Sequence, residues 1–474
     1  MRLPETFCTQ MAQLLGTGGA RALEEALQKP SSVSIRLHPD KGRGFAVREA
    51  VPVPWCSGGN YLSSRPSFTF DPLFHAGCYY VQEASSMFLE QVIRRYVTAP
   101  VLALDACAAP GGKSTHLRSL LPEGSLLVAN EVIGSRAQIL AENLSKWGHP
   151  GVVTTNNDPA DFQPLEHLFD VMLADVPCSG EGMFRKDEAA IGEWSPQSVE
   201  LCRKRQRRIL ADLWPVLKPG GLLIYSTCTF NVMENEENVA WIAGELGADV
   251  LPVETPDEWG ITGSLTADNF PVYRFLPHRT RGEGLFMAVL RKQEADFRPF
   301  VPKPVKKKEK QKSKMPEKLL RQAQQWVKEP TAFHWQADDS RIAAFPLCHA
   351  ALLPVFNRYL RVLNAGTEVA QLKGTDLIPA HALVQSLIFE KASFLQTELT
   401  YEEAIAYLRK EAVQLPATLP RGYVTVTYRG VPLGWVKNLG NRANNLYPAE
   451  WRIRSTHPAE ENSPLDACLS APQA

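Results

Sequence analysis

Residues 101–246 alternate short apolar runs with runs of helical periodicity, and this alternation restricts the possible folds more than any other feature of the chain. Apolar runs at 101–105, 126–131, 152–155, 171–176 and 222–226 predict buried strands. Runs at 114–121, 136–147, 198–217 and 234–246 predict helices between and after them. Strands that alternate with helices form a largely parallel sheet covered on both faces, so the sequence predicts a doubly wound α/β domain.

Three motifs lie at the ends of these predicted strands. The first, Cys107-Ala-Ala-Pro-Gly-Gly-Lys-Ser114, follows the first strand, Asp175-Val-Pro-Cys178 closes the fourth, and Ser226-Thr-Cys228 closes the last. Side chains at the carboxyl ends of parallel strands converge on one crevice. We therefore expect Cys178 and Cys228 to face the same bound substrate.

The glycine-rich loop of the first motif predicts a cofactor site. Gly111 and Gly112 lack Cβ atoms, and the amino end of the following helix offers free N–H donors. A phosphate-binding P-loop is the obvious alternative, but Cys107 occupies the place of its first glycine and Pro110 removes one N–H from the cradle. These departures argue against a nucleotide triphosphatase.

Two acidic residues suggest which cofactor the loop accepts. Glu131 closes the second strand about twenty residues after the loop, which is the spacing at which a carboxylate accepts hydrogen bonds from ribose hydroxyls. Asp158 follows the third strand and could reach an adenine edge. Either acid alone is more often a loop or capping residue, but together with the loop they favour an adenosine-type cofactor.

The two cysteines and Asp175 suit chemistry on a pyrimidine ring. The C5 atom of a pyrimidine is a poor nucleophile until a thiolate adds to C6, and a carboxylate near N3 helps to hold the ring. A second polar group has a role when the C5 proton and the thiol leave. A lone buried cysteine is usually structural, whereas Cys178 and Cys228 at adjacent strand ends favour catalysis. The residues alone do not decide which cysteine attacks.

Composition and charge exclude several classes of protein. The 474 residues suggest more than one domain, and the nine cysteines include no Cys-x-x-Cys pair, so we predict neither a disulfide framework nor a metal site. No apolar run is long enough to span a membrane, which favours a cytoplasmic protein without a membrane partner. The net charge is zero, but residues 203–208 and 303–314 are strongly basic. Each basic run suits a solvated surface as well as contact with nucleic acid.

The three strand-end motifs also carry a resemblance. Ala106-Cys-Ala-Ala-Pro-Gly-Gly-Lys113, Asp175-Val-Pro-Cys-Ser-Gly-Glu-Gly182 and Tyr225-Ser-Thr-Cys-Thr229 resemble the signature motifs of the Sun-type RNA 5-methylcytosine methyltransferases. Residues 81–87, 182–187 and 282–284 are similar to the RsmF (YebU)-like branch, which modifies small-subunit ribosomal RNA. The resemblance covers about residues 75–293. It implies a Rossmann-like class I methyltransferase domain.

The resemblance assigns roles within the central domain. It implies that S-adenosyl-L-methionine (SAM) is the cofactor, bound by Cys107, Ala108, Ala109, Pro110, Gly111, Gly112, Lys113, Glu131, Asp158 and Asp175. It also places Asp175 beside the base. The cysteine of the Ser-Thr-Cys motif, Cys228, is then the nucleophile, and Cys178 assists release of the methylated product.

Patterns outside the central domain predict flanking modules. The tail contains Gly430-Val-Pro-Leu-Gly-Trp-Val-Lys437 and Asn445-Leu-Tyr-Pro448, which resemble the PUA-like RNA-binding module of the same branch. We predict an amino-terminal α+β RNA-recognition domain at 1–75, the methyltransferase domain at 76–293 and a basic linker at 294–318. A carboxy-terminal α+β region follows, with an intermediate domain at 319–410 and the PUA-like module at 411–474.

Together these observations predict an enzyme that methylates cytosine C5 in 16S ribosomal RNA through a covalent adduct between cysteine and C6. Its partner would be ribosomal RNA within the small ribosomal subunit, and we expect a monomer. One alternative is a transfer RNA 5-methylcytosine methyltransferase. Another is a non-catalytic RNA-binding factor for ribosome assembly, against which the intact Cys178, Cys228 and Asp175 argue.

Overall fold

The structure is a computed structural model that describes residues 3–301, 315–374, 376–455 and 461–467. The basic run predicted at 303–314 lies outside the described residues. None of the helices in the described part of the chain combines the length and the apolar character that a membrane span requires.

The amino-terminal segment combines a long helix with a small sheet. Its elements are α1 (Glu5–Leu27), β1 (Ser34–Leu37), β2 (Phe45–Val47), β3 (Val51–Pro52), β4 (Gly59–Tyr61), α2 (Pro72–His75), β5 (Tyr79–Val81) and α3 (Leu89–Tyr96). Four of the strands form a sheet in the order β3-β4-β1-β5. Gly16 has φ 71° and ψ 166°, which lie outside the helical region. Helix α1 therefore bends at the glycine run that interrupts its periodicity.

The central segment contains the predicted α/β fold. Its elements are β6 (Leu102–Asp105), α4 (Gly112–Leu120), β7 (Leu126–Asn130), α5 (Gly134–Trp147), β8 (Val152–Thr155), β9 (Phe169–Asp175), α6 (Glu188–Glu193), α7 (Pro196–Leu213), β10 (Leu217–Thr227), α8 (Glu236–Glu245), β11 (Ala248–Val250), β12 (Val272–Phe275) and β13 (Leu285–Lys292). Strands β10, β9, β6, β7 and β8 are parallel neighbours in that order, and β13 pairs with β10 antiparallel. The predicted fold class is confirmed.

Two hydrophobic cores lie on opposite faces of this sheet. Leu104 of β6 packs in one core with Ile209 of α7, while its neighbour Ala103 packs in the other with Leu117 of α4 and Leu140 of α5. Successive side chains of a strand point to opposite faces, so a strand buried on both faces must be apolar throughout. This is why the strands appear in the sequence as continuous apolar runs.

One predicted boundary in this domain is wrong. The sequence suggests a helix that ends at Leu217, with the run 218–221 as its stop signal and a strand from Leu222. Helix α7 instead ends at Leu213, and β10 begins at Leu217. The pairing of β10 with β9 shifts register between Leu217 and Leu222, and Gly220 has φ 74°. The glycine run therefore forms a bulge within the strand.

The carboxy-terminal segment adds two sheets of its own and one strand to the central sheet. Its elements are α9 (Glu317–Gln324), β14 (Phe333–Ala337), β15 (Arg341–Pro346), α10 (Leu353–Tyr359), β16 (Val362–Ala365), β17 (Thr367–Lys373), β18 (Asp376–Pro379), α11 (His381–Gln385), β19 (Leu395–Glu398), α12 (Tyr401–Leu408), β20 (Gly422–Tyr428), β21 (Val431–Asn438), β22 (Ala443–Asn445) and β23 (Leu465–Ala467). The sheets have the orders β14-β15-β17-β18 and β19-β20-β21-β22. Strands β20 and β21 form the hairpin predicted around Arg429-Gly430.

The flanking segments are packed against the central sheet and against each other. Strand β16 pairs antiparallel with β8, so the region predicted as an intermediate domain at 319–410 covers the edge of the central sheet. Strand β23 pairs with β2, and residues of the amino-terminal sheet share one hydrophobic core with β20 and β21. Strand β19 of the last sheet lies before residue 411 in the chain. The predicted domain boundaries stay predictions.

Gly148 lies where the central domain contacts the end of helix α11. It ends α5 with φ 82°, and its carbonyl accepts hydrogen bonds from Leu387 N (2.9 Å) and Ser386 Oγ (3.0 Å). A Cβ atom at this position would lie 2.1 Å from the carbonyl oxygen of Gln385. We expect Gly148→Ala to cost about 1–2 kcal/mol for the left-handed backbone and roughly 1–3 kcal/mol more for the clash.

Gly124→Ala is the matched control, because Gly124 has φ 81° and the nearest atoms to its Cβ among the described residues would be those of Pro100, at 3.6 Å. Thermal unfolding should show a clearly larger fall in Tm for Gly148→Ala than for Gly124→Ala. Equal falls would mean that the close packing of Gln385 on Gly148 contributes nothing.

Candidate catalytic site

A cavity of about 850 Å³ lies at the carboxyl ends of the parallel strands. Of the residues predicted for the site, Cys107, Ala109, Glu131, Asp158, Asp175, Cys178 and Cys228 line it. They come from the ends of four different strands and from the loop after β8. The convergence expected from the topology is therefore present in the structure.

The other five predicted residues, Ala108, Pro110, Gly111, Gly112 and Lys113, do not line this cavity. A Cβ on Gly111 would lie 3.3 Å from Leu140 Cδ1, and one on Gly112 would lie 3.4 Å from Tyr80 Cε1. The two glycines therefore allow the loop to pack closely against neighbouring protein. Their contact with a cofactor stays a prediction.

The two cysteines meet on the cavity wall. Cys178 Sγ lies 3.0 Å from Cys228 Sγ and accepts a hydrogen bond from Cys228 N at 3.3 Å. The hydrogen bond with Cys228 and burial raise the pKa of the Cys178 thiol well above its ordinary value. Cys178 is therefore held in the thiol form at neutral pH, with its sulfur directly beside that of Cys228.

Partly buried hydrogen bonds fix the segments that carry these cysteines. Ser179 N donates to Glu234 Oε2 at 3.0 Å, and Ser179 Oγ lies 2.9 Å from Thr229 Oγ1. Gly182 N donates to Cys228 O at 2.9 Å. A Cβ on Gly182 would lie 3.0 Å from that same oxygen. The chain after β9 and the chain after β10 are thus joined directly beyond the thiol pair.

Asp175 lines the cavity with both carboxylate oxygens already in hydrogen bonds. Ser226 Oγ donates to Oδ1 at 2.7 Å, and Lys113 Nζ donates to Oδ2 at 2.8 Å. Burial lowers the pKa of Lys113, but Asp175, with smaller contributions from Cys228 and Glu83, raises it overall. Lys113 therefore acts on the cavity through the carboxylate that it holds in place.

Asp105, at the end of β6, was not among the predicted site residues. It is fully buried below the glycine-rich loop and accepts a hydrogen bond from Ser114 Oγ at 2.7 Å, while its Oδ1 has no partner among the described residues. Burial raises the pKa of Asp105 to about 7; Ser114 opposes this and Asp175 adds to it. Its place as an acid at a strand end was the signal available in the sequence.

Glu131 is held by two groups on the far side of the cavity. Ile133 N donates to Glu131 Oε1 at 2.9 Å, and Arg136 Nη1 lies 3.5 Å from Oε2. Arg136 also donates from Nη2 to the carbonyl of Ala109 at 2.8 Å. Arg136 lines the cavity and joins Glu131 to the glycine-rich loop. Sequence reasoning missed it, although a basic residue in the first turn of the helix that follows Glu131 was a visible signal.

Asp158 lines the cavity beside helix α7. Its Oδ1 accepts a hydrogen bond from Ala160 N at 3.1 Å, and its Oδ2 accepts one from Arg208 Nη2 at 3.0 Å. A carboxylate has about four lone-pair sites, so Asp158 keeps capacity for one more donor. Its contact with adenine stays a prediction.

Two further motifs of the sequence contact each other next to the site. Glu283 N donates to Glu83 Oε1 at 3.1 Å, and Arg185 Nε donates to Glu283 Oε2 at 2.8 Å in a buried ion pair. A Cβ on Gly282 would lie 2.3 Å from Ser85 Oγ. The segment at 81–87 and the segment at 282–284 therefore pack as one wall.

Comparison with protein-family models gives three matches along the chain. Residues 99–291 match the model of the 16S rRNA methyltransferase RsmB/F. Residues 394–453 match the model of the methyltransferase RsmF PUA domain, and residues 3–84 match the N-terminal domain of 16S rRNA methyltransferase RsmF.

Curated relatives match over nearly the whole chain. Ribosomal RNA small subunit methyltransferase F of Cronobacter sakazakii is 32% identical over 477 residues, which cover 94% of this chain and 96% of the relative. The protein of the same name from Klebsiella pneumoniae is 33% identical over 474 residues, with the same coverage of 94% and 96%.

Solved structures share the fold of the catalytic part. A methyltransferase homolog protein from Pyrococcus horikoshii is 28% identical with a TM-score of 0.52, covering 61% of this chain and 95% of that one. NSun6 from Pyrococcus horikoshii, determined with SFG, is 20% identical with a TM-score of 0.50, covering 62% of this chain and 99% of that one. The second likeness supports the fold alone.

The raised pKa of Asp105 predicts that the stability of the protein depends on pH. Its folded pKa of about 7 lies above its ordinary value of 3.8, so between these values the folded protein keeps a proton that the unfolded chain has lost. Wild type should therefore lose stability relative to Asp105→Asn as the pH rises through this window, by up to about 1.4 kcal/mol per pH unit.

Thermal unfolding at pH 5 and pH 8 measures this effect. The Tm of Asp105→Asn minus the Tm of wild type should be larger at pH 8 than at pH 5. If the difference in Tm is the same at both pH values, the carboxyl of Asp105 ionises alike in the folded and unfolded states.

Proposed function

The chain belongs to the RsmB/F family of 16S ribosomal RNA methyltransferases, and from this membership we propose that it methylates C5 of a cytosine through a covalent bond between Cys228 and C6. Membership confirms the resemblance found in the sequence, with a methyltransferase domain between an N-terminal domain and a PUA domain. The activity is SAM-dependent methylation of ribosomal RNA. The choice of C5 and the covalent route are our proposal.

The observation that carries the proposal is the pair of sulfurs 3.0 Å apart on the wall of the cavity, beside Asp175. A methyltransferase that acts on an amino or hydroxyl group needs no thiol, because those atoms carry their own lone pairs. Ring carbon C5 becomes nucleophilic only after a nucleophile adds to C6. Two cysteines in one site therefore favour carbon methylation.

The surroundings of the cysteines support separate roles. Cys228 attacks C6 as a thiolate, and C5 then forms its new bond to the methyl group. Solvent water then takes the C5 proton, the electrons of that C–H bond form the C5–C6 double bond, and the C6–S bond breaks with its electrons on sulfur, which returns Cys228 as a thiolate. Cys178 is held as a thiol beside it. Its S–H can donate to the departing sulfur and so assist release.

Asp175 positions the ring during these steps. Its carboxylate is fixed by Ser226 and Lys113, so it offers a preorganised acceptor on the cavity wall. We assign it to the N3 edge of the cytosine. Because N3 of cytosine carries a lone pair and no hydrogen, the carboxylate accepts its hydrogen bond from the adjacent N4 amino group and so holds the ring over the thiol pair.

The residues that would hold SAM line the same cavity. We assign Glu131 to the ribose hydroxyls, Asp158 to the adenine edge and Cys107 with Ala109 to the loop side of the cofactor. When bound, SAM supplies an electrophilic methyl group. The cavity volume of about 850 Å³ falls within the range of about 300–1,000 Å³ usual for small-molecule sites.

The substrate we propose is 16S ribosomal RNA within the small subunit, modified in the cytoplasm by a monomer. The match of residues 394–453 to a PUA domain supports an RNA substrate. Transfer RNA is the second candidate, and an RNA-binding factor without activity is the third. Neither the second nor the third explains both the family match and the thiol pair as directly.

Substitution of the two cysteines tests the mechanism. With labelled SAM and small subunits that lack their own modification, Cys228→Ser should lose methyl transfer by at least about 10³-fold, because no sulfur can add to C6. Cys178→Ser should accumulate a protein–RNA adduct that survives denaturation, because release is slowed. Electrophoresis under denaturing conditions detects the adduct.

Wild type with bulk transfer RNA is the parallel assay. Transfer to transfer RNA but not to small subunits would support the second candidate. If the adduct accumulates in Cys228→Ser instead of Cys178→Ser, the roles are reversed. If wild type modifies neither RNA, the proposal of catalysis is wrong.

A further inference from the structure

Helix α7 forms one side of the cavity mouth. Five of its residues line the cavity and recur at spacings of three and four positions, namely Leu201, Lys204, Arg205, Arg208 and Ile209. Residues with this spacing share one face of a helix. The basic run at 203–208 therefore divides between a face turned to the cavity and a face turned away from it.

Three of the four arginines in this run already have partners. Arg203 donates two hydrogen bonds to Glu200, at 2.7 and 2.8 Å, and Arg207 donates to Asn238 Oδ1 at 2.8 Å. Arg208 binds Asp158 at 3.0 Å. Within the described parts of the chain, the guanidinium of Arg205 has no hydrogen-bond or ion-pair partner.

Lys204 adds a second available charge beside Arg205. Its Nζ lies 3.3 Å from Glu200 Oε1, but Glu200 is shared with Arg203, and the Lys204 side chain is 70% exposed. An exposed pair of this kind is weak. Lys204 and Arg205 thus offer two available cations at the mouth of the cavity. The other cations near the cavity are engaged with its acids.

Two apolar side chains stand beside these cations. Leu201 is 59% exposed and Met183 is 37% exposed, and both line the cavity. Met183 is presented by a turn in which its N–H donates to Gly180 O at 2.8 Å, and Gly180 has φ 73°. Apolar side chains next to unpaired cations match a nucleotide, which has an apolar base face and an anionic phosphate.

We propose that Met183, Leu201, Lys204 and Arg205, which we call the α7 rim, bind the RNA nucleotides that flank the target cytosine. Arg205 and Lys204 contact phosphates, and Leu201 and Met183 pack against a base or ribose. The α7 rim rests on the proposed function, because it directs an RNA strand to the thiol pair. A single strand fits best, since the target base must leave any duplex to reach the cavity.

The contacts of the arginines in α7 distinguish the one that we assign to RNA from those that hold the protein structure. Arg203 and Arg207 orient α7 and its neighbours through Glu200 and Asn238, and Arg208 fixes Asp158. Of these four, Arg205 alone has no hydrogen-bond partner for its guanidinium among the described residues, so it is the one whose donors all remain available to a phosphate. Two arginines two positions apart should therefore respond differently to the same substitution.

The test compares Arg205→Gln with Arg203→Gln, which remove the same charge. Binding to purified 16S ribosomal RNA is measured by filter retention at several salt concentrations, with SAM affinity as a second readout. Arg205→Gln should weaken RNA binding about three- to tenfold and lower the slope of log affinity against log salt by about 0.7, the value for one phosphate on a single strand. SAM affinity should not change.

Arg203→Gln should leave the salt slope as in wild type. Leu201→Ala should weaken RNA binding about twofold or more without changing the slope, because it removes packing and no charge. Thermal unfolding checks that each variant is folded, which is expected because Arg205 and Leu201 lie on the helix surface.

The proposed α7 rim is wrong if Arg205→Gln and Arg203→Gln have the same slope and affinity. Because binding is measured without turnover, this outcome is distinct from failure of the proposed function. If wild type methylates RNA and Arg205→Gln binds RNA as tightly as wild type, the proposal of the α7 rim is wrong and the catalytic proposal stands. Wild type that binds RNA through Arg205 but transfers no methyl group refutes the catalytic proposal alone.

Discussion

The pairing of two parallel strands determines the chemistry of this protein. In β9 and β10, Asp175 lies opposite Ser226, so the residues that follow each strand leave the sheet side by side. Cys178 and Cys228 are brought within 3.0 Å of each other by this register, although they are 50 residues apart in the chain. A shift of one residue would turn the side chains of a strand to the opposite face. The site therefore depends on the register of one strand pair.

Charge is arranged around this strand pair in a regular way. Each acid that lines the cavity has a cation from a different element: Asp175 has Lys113 from α4, Glu131 has Arg136 from α5, and Asp158 has Arg208 from α7. These pairs hold the acceptors in place. They also leave the interior without a free cation among the described residues, so that an anionic strand is attracted mainly at the mouth, beside Arg205.

The sequence predicted the sheet and the convergence of the strand-end residues, because burial on both faces and the strand–helix alternation are local patterns. It did not predict that β16 pairs with β8, because the partners of that strand lie about two hundred residues earlier. The contacts of Arg203, Arg207 and Arg208 were equally hidden, since a basic run has the same composition whether or not its side chains have partners. Asp105 and Arg136 were missed because their roles depend on burial and on contacts with the loop.

Mapping of a trapped adduct tests the central claim most directly. In an RNA whose target cytosine carries fluorine at C5, the step that removes the C5 proton cannot occur, so a sulfur that has added to C6 stays bound. Digestion and mass spectrometry then identify the modified peptide. We predict a nucleotide on Cys228 and none on Cys178. A nucleotide on Cys178, or the absence of any adduct when SAM and RNA are both bound, would contradict the account.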